Sequence, residues 1–216
     1  MDTGGKMISV IIPVYNGEKY LDECLSSVKH DNVEIIVVLD GCTDKSKDIA
    51  LKYTDKIIIN ENNMGPVVAR NIGIKSATGD YIMFMDADDV LNPNAYDVLQ
   101  ENIIGFDGVI GLRSDFISPD CQNLHPETKT SSHGVISGCA LFIASAFEKN
   151  GLFDESLLCG DGYDWLLSAE KIGLKFNKIN SVLCNRRIHE SNMGRNLKDR
   201  EYSDYAKIIK KHFARK

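Results

Sequence analysis

Asp86-Ala87-Asp88-Asp89 carries three carboxylates in four positions, directly after the apolar run Tyr81-Ile-Met-Phe-Met85. Like charges this close repel one another unless a cation or several donors neutralise them. Oxygen ligands suit a hard ion such as Mg2+ or Mn2+, which keeps waters and binds substrate phosphates. Asp86 and Asp88 are therefore candidate metal ligands. A turn and helix cap ahead of Asn94 is the other reading of the segment, and the one favoured for Asp89, because Asp caps helices well.

Two further segments carry chemistry. Asp40-Gly41-Cys42-Thr43-Asp44 follows a second apolar run. Asp40 stands where a carboxylate can accept from a base or ribose, and Thr43 or Asp44 can cap the helix that follows. Gly41 belongs to no GxGxxG, which weakens a dinucleotide reading. Gly65-Pro66-Val-Val-Ala69-Arg70-Asn71-Ile-Gly73 places Arg70 and Asn71 on one helix. A guanidinium suits phosphate or a paired carboxylate. A salt bridge to one of the strand-end aspartates is compatible with either role.

These residues need elements to hold them. Met7–Pro13, Val33–Leu39, Lys56–Ile59 and Tyr81–Met85 read as strands, and the segments between them show helical spacing. The order β-α-β-α-β-α-β implies a mostly parallel sheet with helices on both faces. Ligands then bind beyond the carboxyl ends of the strands. Tyr15 and Asn16, Asp40, and Asp86 with Asp88 all fall there. The second half is less regular. Ser114–Gly134 is polar, holds Pro119 and Pro126, and reads as a lid, an acceptor loop or a mobile segment. Residues 139–149 and 163–172 look helical, Lys175–Ile179 and Val182–Asn185 look like short strands, and Lys198–Ala214 reads as a final helix.

Composition narrows the class. The 216 residues are 43% hydrophobic, 26% charged and 8% aromatic, an ordinary globular balance. No apolar run approaches the roughly 20 residues of a bilayer span. The start, Met1–Met7, lacks a signal pattern and reads as a short extension or an expression remnant. The net charge of −6 argues against nucleic acid as a partner. Six scattered Cys without a CxxC pair point to reduced thiols in a cytoplasmic protein.

Ile8-Ser-Val-Ile-Ile-Pro-Val-Tyr-Asn16, Val38-Leu-Asp-Gly-Cys-Thr-Asp44, Ala69-Arg-Asn-Ile-Gly73 and Gly79–Asp89 follow one another in an order and spacing that resembles the family 2 glycosyltransferases of GT-A fold. Gly151-Leu-Phe-Asp-Glu155, Gly160-Asp-Gly-Tyr-Asp-Trp165 and Arg187-Ile-His-Glu-Ser191 are similar to that family's acceptor-side segments. The resemblance implies an α/β GT-A fold: residues 7–112 a nucleotide-sugar-binding half, 113–195 an irregular acceptor-side half of the same domain. It implies inverting, metal-dependent transfer of a sugar from a nucleotide-diphosphate donor to an acceptor hydroxyl, in surface polysaccharide or lipid-linked glycan synthesis. Pro13, Tyr15, Asn16, Asp40, Arg70 and Asp86 would then contact the donor. Asp86, Asp88 and His189 would hold Mg2+ or Mn2+, although a lone His is often structural. A cation would neutralise the charge gained by the leaving diphosphate.

Two positions depart from the family pattern. Leu39 stands where the family often has an acid, and Gly162 stands at the expected general base. Asp161, one residue earlier, and Asp164, two residues later, are the carboxylates left to accept the acceptor's proton. Asp161 is equally placed to cap the helix containing Trp165. These departures keep a second function open, a non-catalytic relative that binds a nucleotide-sugar or a partner. A nucleotidyltransferase fits less well, because Tyr15-Asn16-Gly17-Glu18 is neither Gly-rich nor basic.

The segment 196–216 forms a basic amphipathic helix with Tyr202, Tyr205, Ile208, Ile209 and Phe213 on one side. Such a helix packs its apolar side on the domain and leaves a solvated basic face, or lies on the inner face of an anionic membrane.

Overall fold

Runs without polar alternation form buried parallel strands. In the computed structural model, which describes residues 6–121, 132–192 and 198–213, β1 (Ile8–Val14) pairs in parallel with β2 (Val33–Asp40). Helix α1 (Leu21–Val28) connects them, with Leu21, Cys24, Leu25 and Val28 buried. Helix α2 (Ser46–Ala50) leads to β3 (Ile57–Asn60), and α3 (Pro66–Ser76) leads to β4 (Tyr81–Phe84). Both further pairings, β2 with β3 and β1 with β4, are parallel. This half matches the alternation read from the sequence.

The second half extends the same sheet. After β5 (Val90–Leu91) and α4 (Ala95–Asn102) come β6 (Gly108–Ile117), β7 (Ser132–His133) and β8 (Ala140–Ile143). Helices α5 (Ala144–Asn150) and α6 (Asp161–Lys171), strand β9 (Phe176–Ile188) and α7 (Lys198–Phe213) complete the chain. The sheet order is β3-β2-β1-β4-β8-β6-β9-β5, with β7 beside β6. Antiparallel β8 joins β4 to β6, and β6 pairs with β9 in parallel.

Four expectations change. Residues 139–149 are not one helix: Ala140–Ile143 is the strand between β4 and β6, and only Ala144 onward is helical. The two short strands near the end are one, β9, whose register against β6 shifts between Ile110 and Arg113. Part of the expected loop is strand: Ser114–Ile117 belongs to β6 and Ser132–His133 is β7. Its centre, 122–131, lies outside the described residues, and with it the lid or acceptor-loop reading of those positions. Asp89 caps no helix: α4 begins after Asn94, and Asp89 Oδ1 instead accepts from Arg187 N at 2.9 Å.

Two apolar layers fix the sheet. One packs α1 and α4 against one face, around Val10, Ile12, Val37, Met83 and Leu99. The other packs α3, α5 and α6 on the opposite face, where Trp165 stacks on Phe147 at 4.5 Å between centroids. Trp165 also donates to Gly151 O at 2.8 Å, so its one polar atom is satisfied.

Candidate active site

Because β2, β1 and β4 are parallel neighbours, their carboxyl ends open on one edge of the sheet. Two turns on that edge are tied together. Asn16, at φ 47, accepts from Thr43 N at 2.8 Å, and Glu18 N donates to Asp44 Oδ2 at 2.9 Å. Asp44 Oδ1 also accepts at 3.0 Å from N of Ser46, the first residue of α2, although the N-cap position is Lys45. Pro13 is half-buried in β1, and Tyr15 stands 58% exposed just beyond it.

Asp40 ends β2 with its carboxylate turned to the chain. Oδ1 accepts from Asn60 Nδ2 at 2.9 Å and Met64 N at 3.0 Å, and Oδ2 from Gly65 N at 2.8 Å. The side chain expected to face a ligand thus fixes residues 60–65 ahead of α3. Gly41 allows that approach: at φ +73, a Cβ there would stand 2.5 Å from Asn63 N. Leu39 is buried in the apolar layer, so no acid is presented at that position.

Arg70, on α3, is the hub of the cleft. Nη2 donates to Asp86 Oδ1 at 3.2 Å, and Nη1 donates to Asp161 Oδ2 at 3.1 Å. The guanidinium and Asp161 are buried, while the Asp86 side chain is 37% exposed. Burial works against the Arg70 charge, but Asp161 and Asp86 more than restore it, so its pKa rises. At Asp86, lost hydration raises the carboxyl pKa; Arg70 opposes that and Asp88 adds to it. Asp89 is shifted well above the usual carboxylate range by burial and then by Asp86 and Asp88.

Asp88 faces a different partner. Its Oδ2 lies 2.8 Å from His189 Nε2 and accepts from Asn192 Nδ2 at 3.1 Å. His189 Nδ1 is 2.9 Å from Ser191 Oγ, and its ring lies against Tyr20 at 4.8 Å between centroids. Arg187 anchors this side. Its guanidinium lies between the Tyr20 and Phe116 rings, 4.7 Å from each centroid, and Nε donates to Asp88 O at 2.9 Å. A cavity of about 550 Å3 opens here, lined by Lys19, Tyr20, Asp120, Cys121, His189, Glu190 and Ser191.

The structure separates the two candidate bases. Asp161 is the first residue of α6 and meets Arg70. Asp164 does not join this cluster: its carboxylate accepts from Lys211 Nζ at 2.7 Å and lies 2.7 Å from His212 Nε2, both on α7. Gly162 is closed to any side chain, since a Cβ would sit 2.9 Å from Ile136 Cγ2 and 3.1 Å from Val135 Cβ. The loop before Asp161 is held from α7, where the fully buried Asp204 accepts from Leu158 N at 2.8 Å.

Two participants carry no expected role. Arg187 was visible only as part of a motif. Arg113, on β6, donates to Ser137 Oγ at 3.0 Å and adds positive charge felt by Asp86. A lone Arg in an unrecognised strand gave no signal of its own.

Divalent-cation chemistry fits the donor set, since Asp88 and His189 offer oxygen and nitrogen at close range beside Asp86. Among the described residues, no three His, Cys, Asp or Glu side chains converge, so waters and substrate oxygens would complete the shell.

The family model for glycosyl transferase family 2 matches residues 9–151. An uncharacterized glycosyltransferase of Rickettsia typhi is 35% identical over 218 residues, covering 88% of this chain and 66% of that relative. The chain therefore spans just under two thirds of that relative's length. Among solved structures, S. aureus TarS 1-349 in complex with UDP-GlcNAc superposes with a TM-score of 0.74 at 21% identity, covering 97% of this chain and 68% of that one. The mannosyltransferase PcManGT from Pyrobaculum calidifontis, in complex with GDP-Man and Mn2+, gives 0.73 at 16% identity, covering 98% and 65%. At these identities the structural likeness is one of GT-A fold.

Proposed function

The chain belongs to glycosyl transferase family 2, and on that premise we propose that it moves a sugar from a nucleotide-diphosphate sugar to an acceptor hydroxyl with inversion. The observation that carries this reading is the double contact of Arg70, which puts the strand-end acid Asp86 and the helix-start acid Asp161 on one cation in the cleft. Asp161 takes the acceptor's proton as the hydroxyl attacks, a task that needs a carboxylate at the sugar. Arg70 orients that carboxylate. Pro13, Tyr15 and Asn16 border the nucleotide, and Asp40 shapes its floor through residues 60–65. Asp88 and His189, with substrate oxygens and waters, would hold Mg2+ or Mn2+, which supplies positive charge to the departing diphosphate. Asp86 is held by Arg70 and, among the described residues, does not close a three-ligand site with them. Nucleotide-sugar complexes of proteins with the same fold support the donor class. The acceptor class we propose is a surface glycan or lipid-linked sugar, and the six free thiols support a cytoplasmic setting.

Thermal unfolding with UDP, GDP and CDP, with and without Mn2+, tests the site, because a ligand that binds only the folded state raises its stability. One diphosphate raises Tm, more so with Mn2+, and its sugar conjugate is turned over. Failure of every nucleotide to raise Tm overturns the reading. The closed Gly162 position favours one competitor, a relative that binds donor without transfer. Binding without turnover of any donor sugar would select it.

A further inference from the structure

Helix α7 is docked through Asp204, Ile208, Lys211 and His212. Asp204 is fully buried on the loop before α6, Lys211 reaches Asp154 and Asp164, and His212 meets Asp164. Of the apolar side chains expected to pack on the domain, only Ile208 is buried, at 4% exposure. Tyr202, Ile209 and Phe213 are 75%, 59% and 64% exposed, while the Tyr205 ring lies beside Gly160. The spacing of seven and four residues puts the three exposed side chains on one stripe. The basic face is solvated as expected, with Lys207, Lys210 and Lys211 exposed, but most of the apolar side expected to pack on the domain is exposed as well.

We propose that this stripe rests on an anionic lipid surface, with α7 lying in the plane of the interface. Asp204, Ile208, Lys211 and His212 hold the helix to the protein, and Tyr202, Ile209 and Phe213 stand exposed where a lipid surface can meet them. Tyr and Phe beside Ile suit the headgroup boundary, where an aromatic body is buried and a hydroxyl stays wet. Charge agrees. Residues 195–216 hold eight Lys or Arg against three Asp or Glu, whereas the remainder of the chain is at −11. Lys210 is exposed and, among the described residues, forms no ion pair. An anionic surface thus attracts this end of the molecule and repels the rest, which orients it. A symmetric second copy would instead set two such basic segments against each other. No described helix is long and apolar enough to cross a bilayer, so the contact is peripheral. The inference stands whether or not the cleft transfers a sugar.

Sedimentation of the full chain with vesicles tests it. The protein pellets with phosphatidylcholine mixed with phosphatidylglycerol and stays in solution with phosphatidylcholine alone. Added salt weakens the binding. Lys210→Gln lowers the partition about fivefold. The triple variant Tyr202→Ser, Ile209→Ser, Phe213→Ser lowers it at least about tenfold, with circular dichroism and Tm unchanged, because these side chains are exposed. Absence of the wild-type protein from the mixed-vesicle pellet overturns the proposal, as does equal binding by the triple variant. A concentration-dependent dimer that the triple variant abolishes would assign the stripe to a second copy instead.

Discussion

Arg70 Nη1 lies 3.1 Å from Asp161 Oδ2, across 91 positions of sequence, and both side chains are buried. A pair of this kind adds little net stability when intact, yet losing one partner is costly because the other charge is stranded. The pair joins α3 to the start of α6, and through Asp86 it reaches the end of β4. Both halves of the cleft therefore depend on one guanidinium.

Replacing that guanidinium separates its roles. Arg70→Ala leaves Asp161 buried without counter-charge, and we expect a loss of about 3–5 kcal/mol in urea unfolding together with loss of transfer. Arg70→Lys keeps a cation but not the fork that reaches two acids at once. We expect a smaller cost, about 1–2 kcal/mol, with transfer down at least about tenfold. Wild-type turnover in Arg70→Lys would show that the double contact is dispensable.

The two acids of α6 predict different kinetic phenotypes. Asp161→Asn removes the proton acceptor, so kcat falls about 100-fold or more with little change in the donor KM. It also lowers stability, because buried Arg70 keeps only Asp86. Asp164→Asn leaves the cleft intact but weakens the contact with Lys211 and His212. It costs stability, about 1–3 kcal/mol, and changes kcat only slightly. Steady-state kinetics beside thermal unfolding reads both. The reversed pattern would make Asp164 the base.

Gly162→Asp places an acid at the position where the family resemblance expects one. Its Cβ meets Val135 and Ile136, and α6 must shift to admit it. Overpacking of this kind costs about 1–3 kcal/mol. The expected outcome is a lower Tm and no gain in turnover. A gain would show that α6 can move and that Asp161 is a substitute for the missing acid.

How far these sites were visible beforehand follows from what each signal contains. β1, β2 and β4 are predominantly apolar runs, and they are where the sequence places them. β6 was missed because Gly108 and Gly111 interrupt it and its second half, Arg113-Ser-Asp115, is polar. Ala140–Ile143 is too short for periodicity to separate strand from helix, and it adjoins a true helix. Asp86 and Asp88 were legible as acids at a strand end. Arg70 was legible as a salt-bridge partner for one of them and His189, through the family resemblance, as their neighbour; which acid each one meets is set by tertiary contacts. Spacing could not tell Asp161 from Asp164, one helical turn apart. In α7 the pattern revealed an apolar stripe but not which way it points, because that is decided by Asp204, Lys211 and His212.

Acid stability should report on Glu34, at the edge of the sheet away from the cleft. Burial alone would raise its pKa. Hydrogen bonds from Lys56, Ser9 and Thr78 outweigh that and bring it to about 2, from an ordinary 4.5. The contacts are direct: Oε2 accepts from Ser9 Oγ at 2.6 Å and from Thr78 N at 3.0 Å, with Lys56 on Oε1. The unfolded chain takes up this proton at a higher pH than the folded chain does, so acid favours unfolding. The contribution is complete above pH 4.5 and fades as pH falls through 2. Part exposure of Lys56 limits it to about 2 kcal/mol. Glu34→Gln lacks this contribution at every pH. Urea unfolding across that range should therefore show a gap between wild type and variant at neutral pH that closes toward pH 2. A gap that stays constant with pH would mean that packing, and not the ionised carboxylate, holds β1, β2 and the turn before β4 together.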